Sequence, residues 1–172
     1  LSLENFQDIK QGDLNKLMKD YQLNRQKAIQ KKGENTNAES LSHEYKGKNL
    51  VLKMSTASYE VVRAQIVRII EEEINKGGSE LSRAVITKEE RKERDDLNVE
   101  TIISSESVSD SKKFKINMYH TNSKIMVNGK GVQTFEMQIL PLLYKLVKEC
   151  ETSIKEFNNK IKIGINQVQD DP

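Results

Sequence analysis

The chain has little of what most protein chemistry requires. Its 172 residues include one cysteine, Cys150, and two histidines, His43 and His120. A lone thiol excludes an intrachain disulfide and fits a reducing compartment, nuclear or cytoplasmic. Zinc sites need more nitrogen and sulfur donors than these three residues supply. No Ser–His–Asp arrangement can be assembled, and His120 has no partner for general-base work, although its turn suits contact with a phosphate. Asn128-Gly129-Lys130-Gly131 lacks the Gly-x4-Gly-Lys-Ser/Thr spacing of a phosphate loop. No apolar run approaches the ~20 residues of a membrane helix, and no signal-peptide pattern opens the chain. Beginning at Leu1, it reads as a piece of a longer intracellular protein. The expectation is a fragment with no cofactor, no metal, no membrane association and no catalysis of its own.

Net charge is also small, at +2, too near neutral to argue a polyanionic partner. Its distribution is uneven. Residues 111–132 hold five lysines and no acid, whereas residues 88–110 hold four basic and eight acidic groups. A fold that places the first stretch on one surface acquires a basic face despite the bland total. The acidic runs Glu71-Glu72-Glu73 and 89–96 are contiguous and read as solvated faces.

What is present is periodicity. Over residues 1–32, Leu14, Leu17, Met18, Tyr21 and Ala28 recur at helical spacings behind a capping Asp13. Residues 33–44 are polar and aperiodic, a linker. The chain thus divides into a helical segment and linker over 1–45, a sheet domain over 46–160 and a tail over 161–172 that frays after Ile163. From Asn49, Leu50, Leu52 and Met54 alternate with Asn49, Val51 and Lys53, which predicts a strand buried on one face. A helix follows, capped by Ser55, Thr56 or Ser58. It is striped by Val62, Ile66, Ile69, Ile70 and Ile74 and ended by Gly77-Gly78.

Ala84–Thr87 and Val99–Ser104 read as short strands. Between them, Thr87 and Glu90 match a capping box opening the charged run Lys88–Asp96, a surface helix or a solvated loop. Ser104–Ser111 reads as a turn. Lys113–Tyr119 and Lys124–Asn128 alternate again; joined by His120-Thr121-Asn122-Ser123, they predict a β-hairpin that Gly129-Lys130-Gly131 ends. A last helix carries Phe135, Ile139, Leu142, Leu143, Leu146 and Val147 and continues through Ile154 and Phe157. Pro141 marks a kink or a restart within it.

This order predicts an α+β fold: an antiparallel sheet of about five strands with two helices packed on one face, preceded by an N-terminal helix. The helices then cover Leu50, Leu52, Met54, Phe114, Ile116, Met118, Ile125 and Val127. The other face is left to Asn49, Val51, Lys53, Lys113, Lys115, Asn117, Tyr119, Lys124, Met126 and Asn128. That set suits nucleic acid, with ammonium groups for phosphates, carboxamides for base edges, and Tyr119, Met126 and Val51 for sugars or bases. It contains no acid, although the chain has 26. The plain alternative is an ordinary solvated sheet face, where lysine and asparagine are common.

In element order, strand–helix–four strands–helix, residues 46–150 resemble one half of the TATA-box-binding protein fold. A similar single unit is the N-terminal substrate-binding domain of type 3 ribonuclease H. Asn49-Leu50-Val51 is similar to the Asn-apolar-Val stretch that opens the family's first strand. Tyr119, followed by Lys124-Ile125-Met126-Val127-Asn128-Gly129, is similar to its hairpin. The resemblance implies that the helix-free face is the nucleic-acid face, contacted through Asn49, Val51, Tyr119, Lys124, Met126 and Asn128. The chain departs from the family in holding one unit instead of a tandem pair, a turn one residue longer, a charged insertion at 88–97, and Tyr119 where phenylalanine is frequent.

The expected function is therefore that of a nucleic-acid-binding module in a larger nucleic-acid-processing or mobile-element protein, its partner DNA, RNA or a hybrid. The alternative is a protein-interaction or assembly domain that docks through the N-terminal helix, by Leu14, Leu17 and Met18, and the sheet edge.

Overall fold

Alternation over 49–54 and 113–128 organises the sheet, and the stripe over 62–74 organises the longest helix packed with it. In the computed structural model, residues 32–76, 85–92, 98–106, 113–120 and 122–170 are described; the proposed N-terminal helix with Leu14, Leu17 and Met18 lies outside them. The elements are β1 (Ser42–Lys46), β2 (Asn49–Lys53), α1 (Thr56–Lys76), β3 (Val85–Lys92), β4 (Asn98–Glu106), β5 (Phe114–Tyr119), β6 (Lys124–Asn128), α2 (Val132–Gln138), α3 (Leu140–Glu149) and α4 (Glu151–Asp170). The strands form one antiparallel sheet in the order β1-β2-β6-β5-β4-β3. The fold is α+β.

The eight residues expected to face inward do so. None of Leu50, Leu52, Met54, Phe114, Ile116, Met118, Ile125 and Val127 is more than 3% exposed. They share one buried cluster with Val62, Ile66 and Ile70 of α1, Phe135 of α2, Leu143 and Leu146 of α3, and Ile154 and Phe157 of α4. Each such side chain contributes roughly 1.5–3 kcal/mol on burial. Phe114 and Phe135 meet edge to face, with ring centroids 5.6 Å apart, which fixes α2 against β5.

Helix α1 starts where a cap is available. The Ser58 backbone N–H donates to Ser55 Oγ at 3.2 Å, relieving one of the orphan donors of the first turn. Asn158 of α4 secures the same turn, accepting from the Ala57 N–H at 2.9 Å and donating to Ser55 Oγ at 3.1 Å. Pro141 marks a restart: α2 closes at Ile139, whose N–H bonds Phe135 O, and proline sits in the first turn of α3, where its missing N–H costs nothing.

Three expectations need correction. The expected linker over 33–44 runs into β1, Ser42–Lys46, so the sheet has six strands among the described residues. Gly47, at φ 63°, and Lys48 are the central pair of a two-residue hairpin turn, and glycine at the first of these positions suits a type II′ turn. The charged run after Thr87 is neither helix nor loop as far as Lys92; it is β3, paired along its length with β4. Ladder bonding to a neighbouring strand outweighs the local capping-box pattern there. The chain does not leave the helix after Ile163, since α4 continues to Asp170.

Candidate nucleic-acid interface

Register places the candidate residues in cross-strand rows on the face turned away from the core cluster. One row runs Ser42, Lys53, Lys124, Tyr119, each residue opposite the next. A second runs Glu44, Val51, Met126, Asn117. Lys46 faces Asn49, and Lys115 faces Asn128, on the far side of that second row. Side chains two apart on a strand share a face, so the ten candidates do gather on one surface; Lys113 immediately precedes β5.

They are not equally available. Lys53 and Lys113 are exposed, whereas Asn49, Lys115, Tyr119, Lys124, Met126 and Asn128 are half-buried. Val51 and Asn117 are buried, at 4% and 5% exposure. Alternation assigns them to the outer face correctly, but a central place in a six-stranded sheet leaves them little accessible surface. Val51 stands outside the core cluster. Asn117 spends its amide N–H on Met126 O, at 3.3 Å.

The expected absence of acid also fails. Glu44, on β1, lies 2.9 Å from Lys53 and 3.9 Å from Lys46. The hydrogen bond from Lys53, with the charges of Lys53, Lys46 and Lys124 around it, holds the Glu44 carboxyl below the usual carboxylate range. Glu44 and Lys46 are functional candidates that alternation missed, because β1 exposes four of its five residues. The signal available was the Gly47-Lys48 turn.

Both histidines are engaged elsewhere. His120 is buried, and its Nδ1 lies 2.6 Å from the Tyr59 hydroxyl, so it is not placed to meet a phosphate. His43 Nδ1 lies 2.6 Å from the Tyr144 hydroxyl, and Tyr45 donates to Glu136. These contacts fasten β1 to α3 and α2. Among the described residues, no group of three or more His, Cys, Asp or Glu is arranged to hold a metal ion, and no helix is long and apolar enough to cross a membrane.

No family model, curated protein or solved structure matches the chain.

Proposed function

We propose that the helix-free sheet face binds nucleic acid, chiefly through its phosphates. The observation that carries this reading is the register of Lys53 directly opposite Lys124. Like charges at opposed positions destabilise a sheet pair, and Lys53 is held in that position by its ion pair with Glu44, at 2.9 Å. A polyanion laid over Lys46, Lys53, Lys115 and Lys124 relieves that repulsion and releases its own counterions. Tyr119 and Met126, half-buried beside these lysines, offer surface to a sugar or base, and Asn49 and Asn128 offer carboxamides. The strand–helix–four strands–helix order of residues 49–149 supports the likeness to half of a TATA-box-binding protein fold, with the helices on the opposite face. On this reading the chain is the binding module of a larger intracellular nucleic-acid-processing protein.

The test is a fluorescence-polarisation titration of the whole chain against matched duplex DNA, hybrid, duplex RNA and single strands over a range of salt. Replacing Lys53, Lys115 and Lys124 together by alanine is expected to weaken binding to the preferred probe. The slope of log K against log salt should flatten by roughly 2–3, from about 0.9 per lost phosphate contact on duplex DNA. Equal affinity of parent and triple variant for every probe at low salt, with the fold intact by circular dichroism, would exclude the reading.

A further inference from the structure

The β1 edge of the sheet is built in an unusual way. In a two-residue hairpin the flanking residues, here Lys46 and Asn49, form a hydrogen-bonded pair. Bonding then alternates along the strand: Lys46, Glu44 and Ser42 direct their backbone groups to β2, while Tyr45 and His43 turn theirs outward. His43, Glu44, Tyr45 and Lys46 are all exposed, Tyr45 at 45%. Sheet edges are commonly blunted by short length, by charged side chains, by proline or bulges, or by a covering element. This one carries opposite charges two residues apart, Glu44 and Lys46.

We propose that the β1 edge docks a second copy of this chain, the two β1 strands pairing antiparallel about a two-fold axis at Tyr45. In that register the outward N–H and C=O of Tyr45 exchange bonds with those of the other Tyr45. Glu44 of each copy then stands opposite Lys46 of the other, twice by symmetry. These are non-hydrogen-bonded positions, where opposed side chains come closest. Neighbouring registers lack this match. An axis at Glu44 sets carboxylate against carboxylate, and an axis at His43 sets Tyr45 against Leu41, which is already buried. Because Glu44 and Lys46 lie on the outer face with Lys53, the joined sheet keeps that face on one side in both copies. The inference does not depend on nucleic-acid binding, and its test is made without any.

Sedimentation velocity of the full chain over a wide concentration range should show reversible dimers. Glu44→Lys alone and Lys46→Glu alone each turn both cross-axis pairs repulsive, and each should weaken association about tenfold or more. Mixing the two variants restores opposite charges at both pairs, so the mixture should dimerise where neither variant does; two misfolded proteins would not. Glu44→Cys mixed with Lys46→Cys should form an intermolecular disulfide under mild oxidation, since opposed non-hydrogen-bonded positions bring Cα atoms to about 4.5 Å, and the remaining Glu44–Lys46 pair is kept. A parent chain that stays monomeric at the highest concentration would overturn the proposal. So would dimers insensitive to both single changes, or a mixture no better than its components.

Discussion

The hydroxyl of Tyr59, in the first turns of α1, lies 2.6 Å from Nδ1 of His120, in the turn between β5 and β6. The two rings meet edge to face at 5.8 Å, and Tyr59 is wholly buried. One polar contact thus joins the helix layer to the hairpin that carries Tyr119 and Lys124. Tyr59→Phe keeps the ring and removes the hydroxyl, leaving a buried ring nitrogen without that partner. The loss should destabilise the fold by about 1–3 kcal/mol, read as a lower urea midpoint with an unchanged m value.

Burial raises the Tyr59 phenol well above its ordinary value. Burial, reinforced by the hydrogen bond to Glu136, pushes Tyr45 up to about 12. A phenol raised in the folded state stays protonated where the unfolded chain ionises. Its contribution is therefore complete below a pH of about 10 and declines as pH rises beyond it. Parent stability should fall through this alkaline window. In Tyr59→Phe it should fall less steeply, by up to about 1.4 kcal/mol per pH unit. Parallel alkaline profiles for the two proteins would show that Tyr59 ionises normally.

Gly129 ends β6 at φ 113°, and a Cβ built there would lie 2.7 Å from Lys113 O. That carbonyl also accepts the Gly131 N–H at 2.7 Å. Both conformation and space therefore oppose any side chain. Gly129→Ala is expected to cost about 2–4 kcal/mol, visible as a marked fall in Tm. Gly47 has a positive φ but nothing within 4 Å of its built Cβ. Gly47→Ala should cost only the backbone strain, about 1–2 kcal/mol.

Glu44 competes internally for the amine that the proposed interface needs. Glu44→Gln releases Lys53 from its ion pair, so affinity for nucleic acid should rise and the salt slope should steepen by up to about 0.9. Unchanged affinity and slope would place Lys53 away from the phosphates.

The strands that hold the core were legible because their two faces differ sharply in chemistry. Leu50, Leu52, Ile116, Met118, Ile125 and Val127 are buried, and Asn49, Lys53, Lys115, Asn117, Lys124 and Asn128 stand between or beside them in the sequence. Strand β1 was not legible: Ser42–Lys46 contains no buried residue, so burial leaves no periodic trace there. Strand β3 was hidden for a related reason. Its charged residues take extended form through pairing with Asn98–Glu106, a partner that local pattern does not reveal. Alternation puts the candidate residues on one face but does not say which of them are accessible or what stands beside them. The burial of Val51 and Asn117 and the intrusion of Glu44 depend on which strands lie side by side, and order within a sheet is a property of the tertiary fold.

The pairing of β2 with β6 has a consequence for the newborn chain. These two strands are separated by about seventy residues, a loop whose closure is entropically slow to achieve. During synthesis Leu50 and Leu52 leave the ribosome long before Ile125 and Val127, their neighbours in the finished molecule, have been translated. Until then the β1–β2 hairpin is a greasy ribbon without its mate, prone to seize another strand or recruit a chaperone. Nascent chains halted before Lys124 should accordingly be protease-sensitive at Leu50–Lys53, and those halted far enough beyond Phe157 to free α4 should resist.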